Sequence, residues 1–150
     1  MSDENTALDS GDRILVVRQN ADGVGSRGTA TRGALFESLG VGYETGAGGA
    51  VTQITSKSTG VTLSKLCGQI TLHNAALAAD AIVSFVLTNT LIAAGDVLVL
   101  NHLSGGTPGA YVLNARSAAG SATIDVANRT AGSLGEAVVI AYAVVKAVAA

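Results

Sequence analysis

The sequence predicts an all-β protein: a jelly-roll-like β-sandwich of about eight strands, preceded by an extended N-terminal arm. Three observations support this. Several segments alternate apolar and polar residues with a period of two, which is typical of strands with one buried face. Turn-forming residues separate these segments at short, nearly regular intervals, as in sandwiches and barrels. Eleven of the 20 charged residues lie within residues 1–44 of a 150-residue chain, which indicates two differently built parts.

Alternation predicts most of the strands. In residues 81–88, for example, Val83, Phe85 and Leu87 share one face, while Ser84 and Thr88 share the other. Between these segments lie turn sequences such as SGGTPG at 104–109 and AGSLG at 131–135. The same pattern recurs in six segments, which are residues 51–55, 61–65, 69–74, 81–88, 111–116 and 121–129.

Two further segments, residues 96–102 and 137–146, are apolar on both faces. A strand of this kind is covered on both sides, which predicts the domain core on one side and a partner subunit on the other. Alanine in the second segment favours a helix, but its Val, Ile and Tyr favour a strand, and we interpret it as a strand. We expect four of its side chains to form the oligomer interface: Val138, Ile140, Tyr142 and Val144.

The first 44 residues are interpreted as an attachment arm and linker, and residues 45–150 as the oligomerisation domain. Residues 13–19 predict one isolated strand, and residues 31–39 predict a short helix that begins at Thr31 and stops before Gly40. The glycine-rich stretch GVGYETGAGG at 40–49 marks the boundary. Four arginines of the arm are the candidates for contact with another protein, namely Arg13, Arg18, Arg27 and Arg32.

Composition argues against several classes of protein. The net charge of −2 leaves no excess of cations to neutralise a nucleic acid. Cys67 is the only cysteine, so a disulfide-stapled fold is excluded and a small buried hydrophobe is expected. The most apolar stretch, residues 81–100, is interrupted by Asn89, Gly95 and Asp96, which argues against a membrane span. The acidic N-terminus lacks the pattern of a signal peptide, so we expect assembly in a cytoplasm.

Two patterns in the sequence are candidates for sites of chemistry. Residues 23–28 (GVGSRG) match the glycine pattern of dinucleotide-binding loops, but the connection from the preceding strand is long and no βαβ unit follows. We interpret them as a glycine loop. His73 and His102, taken with Ser84, Asp96 or Asp125, show no spacing typical of a hydrolytic triad or a metal site. We therefore expect no catalytic residue, cofactor, metal or small-molecule substrate.

Residues 42–74 (GYETGAGGAVTQITSKSTGVTLSKLCGQITLHN), 85–89 (FVLTN) and 133–140 (SLGEAVVI) resemble a domain of tailed-bacteriophage and prophage structural proteins. The resemblance covers about residues 42–147, and the part around 46–72 is the most specific. It implies a β-domain of fibre, tail or capsid-associated type, commonly trimeric, and supplies no catalytic residues.

The expected function is therefore that of a capsid decoration or cement protein in the virion. It would trimerise through the β-domain and bind the major capsid protein, or another virion protein, through the arm. The alternative is a short head or tail fibre, or a receptor-binding adhesin. The short chain has no repetitive shaft and only three Tyr and two Phe, which gives no aromatic platform for sugars and favours decoration.

Overall fold

A computed structural model describes residues 15–19, 25–29 and 43–147 of the chain. The chain divides into two units, Met1–Gly42 and Tyr43–Ala150. The described residues form ten strands and contain no helix. The all-β class expected from the alternating pattern is confirmed.

The first unit contributes a two-stranded antiparallel sheet. β1 (Leu15–Gln19) pairs with β2 (Gly25–Thr29), with Val17 opposite Arg27. The expectation of an isolated strand is corrected, because β1 has a partner. The sequence carries the reason, since Asp-Gly dipeptides favour hairpin turns and Asp22-Gly23 lies between the two strands. The helix expected at 31–39, and the arginines Arg13 and Arg32, lie outside the described residues.

The second unit is a sandwich of two four-stranded sheets, which confirms the expected β-sandwich of about eight strands. Sheet I has the strand order β3-β5-β10-β7 and sheet II has the order β4-β6-β9-β8. The strands are β3 (Ala50–Thr52), β4 (Val61–Thr62), β5 (Cys67–Thr71), β6 (Ile82–Thr88), β7 (Val97–Ser104), β8 (Tyr111–Ala118), β9 (Ser121–Asn128) and β10 (Val139–Val145).

The connections of this sandwich differ from those of a jelly roll. From β3 to β6 the chain alternates between the sheets, so β3 and β5 run in the same direction, as do β4 and β6. Both pairs are parallel, whereas the other pairings within the sheets are antiparallel. A jelly roll is built from antiparallel Greek keys. Strand periodicity carries no information on the direction of a neighbouring strand, so the alternating pattern could not predict the two parallel pairs.

The core lies between the sheets and is made by the inward side chains of the central strands. In β9 every second side chain from Ala122 to Val126 is buried, and β10 has the same pattern from Ile140 to Val144. The pairing of β10 with both β5 and β7 settles the choice between helix and strand for this segment. The largest fully buried apolar side chains are Ile70, Leu72, Phe85, Leu87, Ile124, Val126, Val138, Ile140 and Val144.

The four side chains expected at the oligomer interface lie in this core. Val138, Ile140 and Val144 are 0% exposed and Tyr142 is 3% exposed within a single chain. The Tyr142 hydroxyl donates to the carbonyls of Leu63 (3.3 Å) and Lys65 (3.1 Å) of the same chain. Their placement is corrected accordingly: contacts inside one protomer account for their burial, so any partner must contact other apolar side chains.

The core position of Ile140 predicts a large effect of truncation. Ile140→Ala should lower the free energy of unfolding by about 2–5 kcal/mol, because it removes buried methyl groups and leaves a cavity. Val145→Ala, at the half-exposed end of the same strand, is the matched control and should change it by less than about 1 kcal/mol. Urea denaturation of both variants measures the difference. Equal effects of the two substitutions would contradict the assignment of faces in β10.

Candidate functional site

Two loops lie at one end of the sandwich, on its two opposite sides. The knob loop, residues 53–60, joins β3 to β4, which are the edge strands on one side. The cleft loop, residues 104–110, joins β7 to β8, the edge strands on the other side. Both loops are bonded to Glu136, which places them at the same end. At this loop end, polar side chains connect the two loops to each other through Glu136.

The knob loop is held from inside by Gln53. Its side chain is buried, and Nε2 donates to the carbonyls of Lys57 (3.0 Å) and Thr59 (2.8 Å). Its Oε1 accepts a hydrogen bond from the His73 amide at 3.0 Å. The side chain thus satisfies backbone groups that would otherwise be buried without partners. The loop therefore has one defined conformation without a regular strand ladder.

Lys57 fastens the knob loop to the rest of the domain. The residue is buried, and its ammonium donates to the carbonyls of His73 (2.5 Å) and Glu136 (2.6 Å). Burial lowers the pKa of Lys57, while the negative charge of Glu136 acts to raise it. A buried cation of this kind is tolerated only when polar groups surround it. Lys57 therefore acts as a cross-link between three segments.

Ile54 is the side chain that this rigid loop displays. It is 85% exposed, the highest value among the large apolar residues described as exposed. The alternation in residues 51–55 predicted a strand through this position, but β3 ends at Thr52. The strand ends early because Gln53 turns inward to bond the loop. The turn-forming residues Ser56, Ser58 and Gly60, which follow at once, are the signal that indicates an early end.

Glu136 holds the cleft loop on the opposite side. Its carboxylate accepts hydrogen bonds from the Thr107 amide (2.9 Å), the Thr107 hydroxyl (2.6 Å) and the Tyr111 hydroxyl (2.8 Å). These bonds favour the ionised form and lower the pKa of Glu136. Burial, together with the hydrogen bond to Glu136, raises the pKa of the Tyr111 hydroxyl. Sequence reasoning missed this set because its members are distant in the chain.

A cleft of about 410 Å3 opens beside the cleft loop. Gly105 has φ +68°, and a Cβ there would lie 2.4 Å from the Ala137 carbonyl oxygen, so the loop packs closely on the segment before β10. His102 Nε2 lies 2.5 Å from the Gly105 carbonyl oxygen, and its ring meets Tyr111 edge-on with centroids 6.0 Å apart. The cleft is lined by His102, Leu103, Ser104, Gly105, Gly106, Pro108 and Gly109.

The outer faces of both sheets also expose apolar side chains. On sheet I, Val97 and Val145 are directly opposite each other and both are about half exposed. On sheet II, Ile82 and Val112 flank Ala127 in one row across three strands. Large apolar patches on a monomer mark sites of association. The second apolar face predicted for residues 96–102 is thus the outer face of sheet I, where Val97 and Val99 are exposed.

The two histidines considered as catalytic residues are each bonded to a nearby backbone group. His73 Nδ1 accepts a hydrogen bond from the Ala75 amide at 3.0 Å, and His102 contacts Gly105. Asp96 bonds to Lys146 at 2.5 Å, which lowers the pKa of Asp96. Ser84 donates to Asp125 at 2.6 Å, and no histidine is bonded to this pair. The structure therefore brings Ser84 and Asp125 together but bonds neither histidine to them.

The sequence also raises two other candidates, a metal site and a glycine loop. Within residues 15–19, 25–29 and 43–147, no group of three or more His, Cys, Asp or Glu side chains could hold a metal ion. Cys67 is half-buried. The glycine pattern of residues 23–28 runs into β2 instead of a strand-to-helix turn. Of the four arm arginines, Arg18 lies in β1 opposite Ser26, and Arg27 lies in β2.

Comparison of the chain with protein-family models, with curated proteins and with solved structures gave no match. In the described part of the chain, no helix has the length and apolar character needed to cross a membrane.

The Lys57 cross-link predicts a stability effect. Lys57→Met should lower the free energy of unfolding by about 1–3 kcal/mol, because the carbonyls of His73 and Glu136 lose a charged donor. Lys65→Met, at an exposed position of the same unit, is the matched control and should be nearly neutral. Thermal unfolding of both variants measures this. A neutral effect of Lys57→Met would show that the ammonium does not fasten the loop.

The Glu136 contacts predict a pH dependence. Because the folded-state pKa of Glu136 is lowered, its contribution to stability is complete above the unfolded value, about 4.3. That contribution disappears as the pH falls through the folded pKa. In urea titrations at a series of acidic pH values, Glu136→Gln should reduce the loss of stability on acidification. Glu44→Gln, which removes an exposed carboxylate, should keep the wild-type slope. Identical slopes for wild type and Glu136→Gln would contradict the assignment.

Proposed function

We propose that this protein is a bacteriophage virion structural protein, a capsid decoration or cement protein. The β-sandwich forms a homotrimer, and the first 44 residues attach it to the major capsid protein or another virion protein. It is assembled in the cytoplasm of the bacterial host and acts without a cofactor, a nucleic acid, a membrane or a small-molecule substrate. Its role is mechanical: it covers and reinforces the particle surface.

The observation that carries self-association is a sandwich with few free charges and many exposed apolar side chains. Residues 43–147 contain ten charged side chains. Lys57 is buried, Glu136 is bonded to Thr107 and Tyr111, and four others form the ion pairs Asp96–Lys146 and Arg116–Asp125. On soluble proteins, about a quarter to a third of the surface positions are usually charged. Subunit contacts that cover the apolar side chains would account for this composition.

Trimerisation also supports attachment. Three arms on one trimer bind a shell with an effective concentration far above that of a free arm, so a weak contact at each arm is sufficient. The resemblance of residues 42–147 to tailed-phage structural proteins supports the virion as the place of action. The arginines of the arm provide donors for bidentate hydrogen bonds to carboxylates on another protein.

The second candidate is a short head or tail fibre, or a receptor-binding adhesin. The loop end favours this alternative, since loops held by a rigid sandwich are a common place for binding sites. The two proposals differ in copy number: decoration requires hundreds of copies per particle on our expectation, and a fibre requires tens or fewer.

Purified particles and purified protein test the proposal together. We expect a solution mass near three chains of 14.8 kDa, that is 44.4 kDa, and hundreds of copies per particle by quantitative mass spectrometry. A variant with all four arm arginines replaced by Ala should keep the mass but lose binding to stripped particles. The double variant Arg116→Ala, Arg129→Ala controls for loss of charge. Tens of copies would favour the fibre, and binding by the arm variant would contradict the attachment role.

A further inference from the structure

We infer that Ile54 of one subunit inserts into the cleft beside the cleft loop of a neighbouring subunit. This inference deepens the proposed function and rests on its self-association, for which it names the contact. The occupant of the cleft is a second copy of this chain. The contact joins two different surfaces and is therefore heterologous.

The knob has the properties of an anchor residue. Ile54 is 85% exposed, while the residues around it are fixed by Gln53 and Lys57. A single exposed isoleucine is ordinary on a protein surface. The loop that presents Ile54 is unusual, because a buried glutamine and a buried lysine both hold it in place. Because the loop is already ordered, association would not have to restrict its backbone, which improves affinity.

The cleft has a suitable size and chemistry for this side chain. Its volume of about 410 Å3 exceeds the cavity of about 150 Å3 that accommodates a benzene molecule. Leu103, Pro108 and the carbon atoms of three glycines provide an apolar lining, and no charged side chain lines it. The exposed side chains of the knob loop are likewise uncharged, because Lys57 is buried. Neither surface would therefore have to desolvate a charge on contact.

The relative position of knob and cleft lets each copy contact two neighbours. They lie on opposite sides of the sandwich but at the same end, since Glu136 bonds to Lys57 of the knob loop and to Thr107 of the cleft loop. A heterologous contact that joins opposite sides places each copy beside the next, and it closes when the rotation fits the symmetry. In a trimer, every knob and every cleft is then occupied once.

A matched pair of isoleucine variants tests the knob. Ile54→Ser should weaken association roughly 10- to 100-fold per contact, because one apolar side chain leaves its site. Ile82→Ser removes an isoleucine that is 61% exposed on the outer face of sheet II, and it should leave the trimer intact. Sedimentation velocity over a concentration series measures both, and an unchanged far-UV circular dichroism spectrum shows that each variant is folded.

Disulfide trapping tests the contact directly, in a Cys67→Ala background. Oxidation of the double variant Ile54→Cys, Leu103→Cys should give covalent trimers. A mixture of the two single variants should give covalent dimers, and neither single variant should do so alone. The pair Ile82→Cys, Leu103→Cys is the control and should remain uncrosslinked.

The outcomes separate this inference from the proposal beneath it. A wild-type trimer that persists unchanged in Ile54→Ser, or that yields no mixed disulfide, would overturn the knob contact and leave self-association intact. A wild-type monomer at every concentration would overturn both, and the copy number on particles would then decide the virion role separately.

Discussion

Burial of the inward side chains of β9 and β10 is the constraint on which the rest of this domain depends. These strands are central in their sheets, and their inward side chains from Ala122 to Val126 and from Ile140 to Val144 are almost completely buried. The chain between them must cross from one sheet to the other. Glu136 lies on this crossing, so packing of the core fixes its position. Its carbonyl and carboxylate then hold the knob loop and the cleft loop at a set separation.

The few charges of this domain mostly serve this internal architecture. Lys57 joins three segments, Glu136 holds the cleft loop, and Asp96 binds Lys146 and the Ala93 amide at the opposite end of β10. A carboxylate that accepts several hydrogen bonds organises loops without needing a partner protein. The consequence for the exterior is a lack of the charges that keep monomers apart. One distribution of charge thus accounts both for the internal order and for the association that we propose.

The sequence pattern predicted the strands well and the contacts poorly. Alternation located six strands of the sandwich, because a period of two reports which side of a strand is buried. The two segments that are apolar on both faces located β7 and β10. In residues 137–146 both faces are apolar, so the pattern had no means of showing that Ile140 and Val144 face the core of their own chain. The parallel strand pairs and the Glu136 hydrogen bonds join residues that are distant in sequence. A local pattern of residues cannot predict such contacts. The pairing of β1 with β2 could have been predicted, because the Asp-Gly dipeptide between them favours a hairpin.

The placement of Val138, Ile140, Tyr142 and Val144 in the core changes what kind of assembly the proposal requires. A flat strand face pairs equally well with itself or with another sheet edge, which risks unlimited association. A knob and a cleft on opposite sides define one orientation for each neighbour, and the number of copies is definite when the rotation between them closes a ring. Because charges are scarce, shape has to supply this specificity. A rigid loop that presents Ile54 supplies it only while Gln53 and Lys57 remain bonded, so the assembly that we propose depends on the buried polar network.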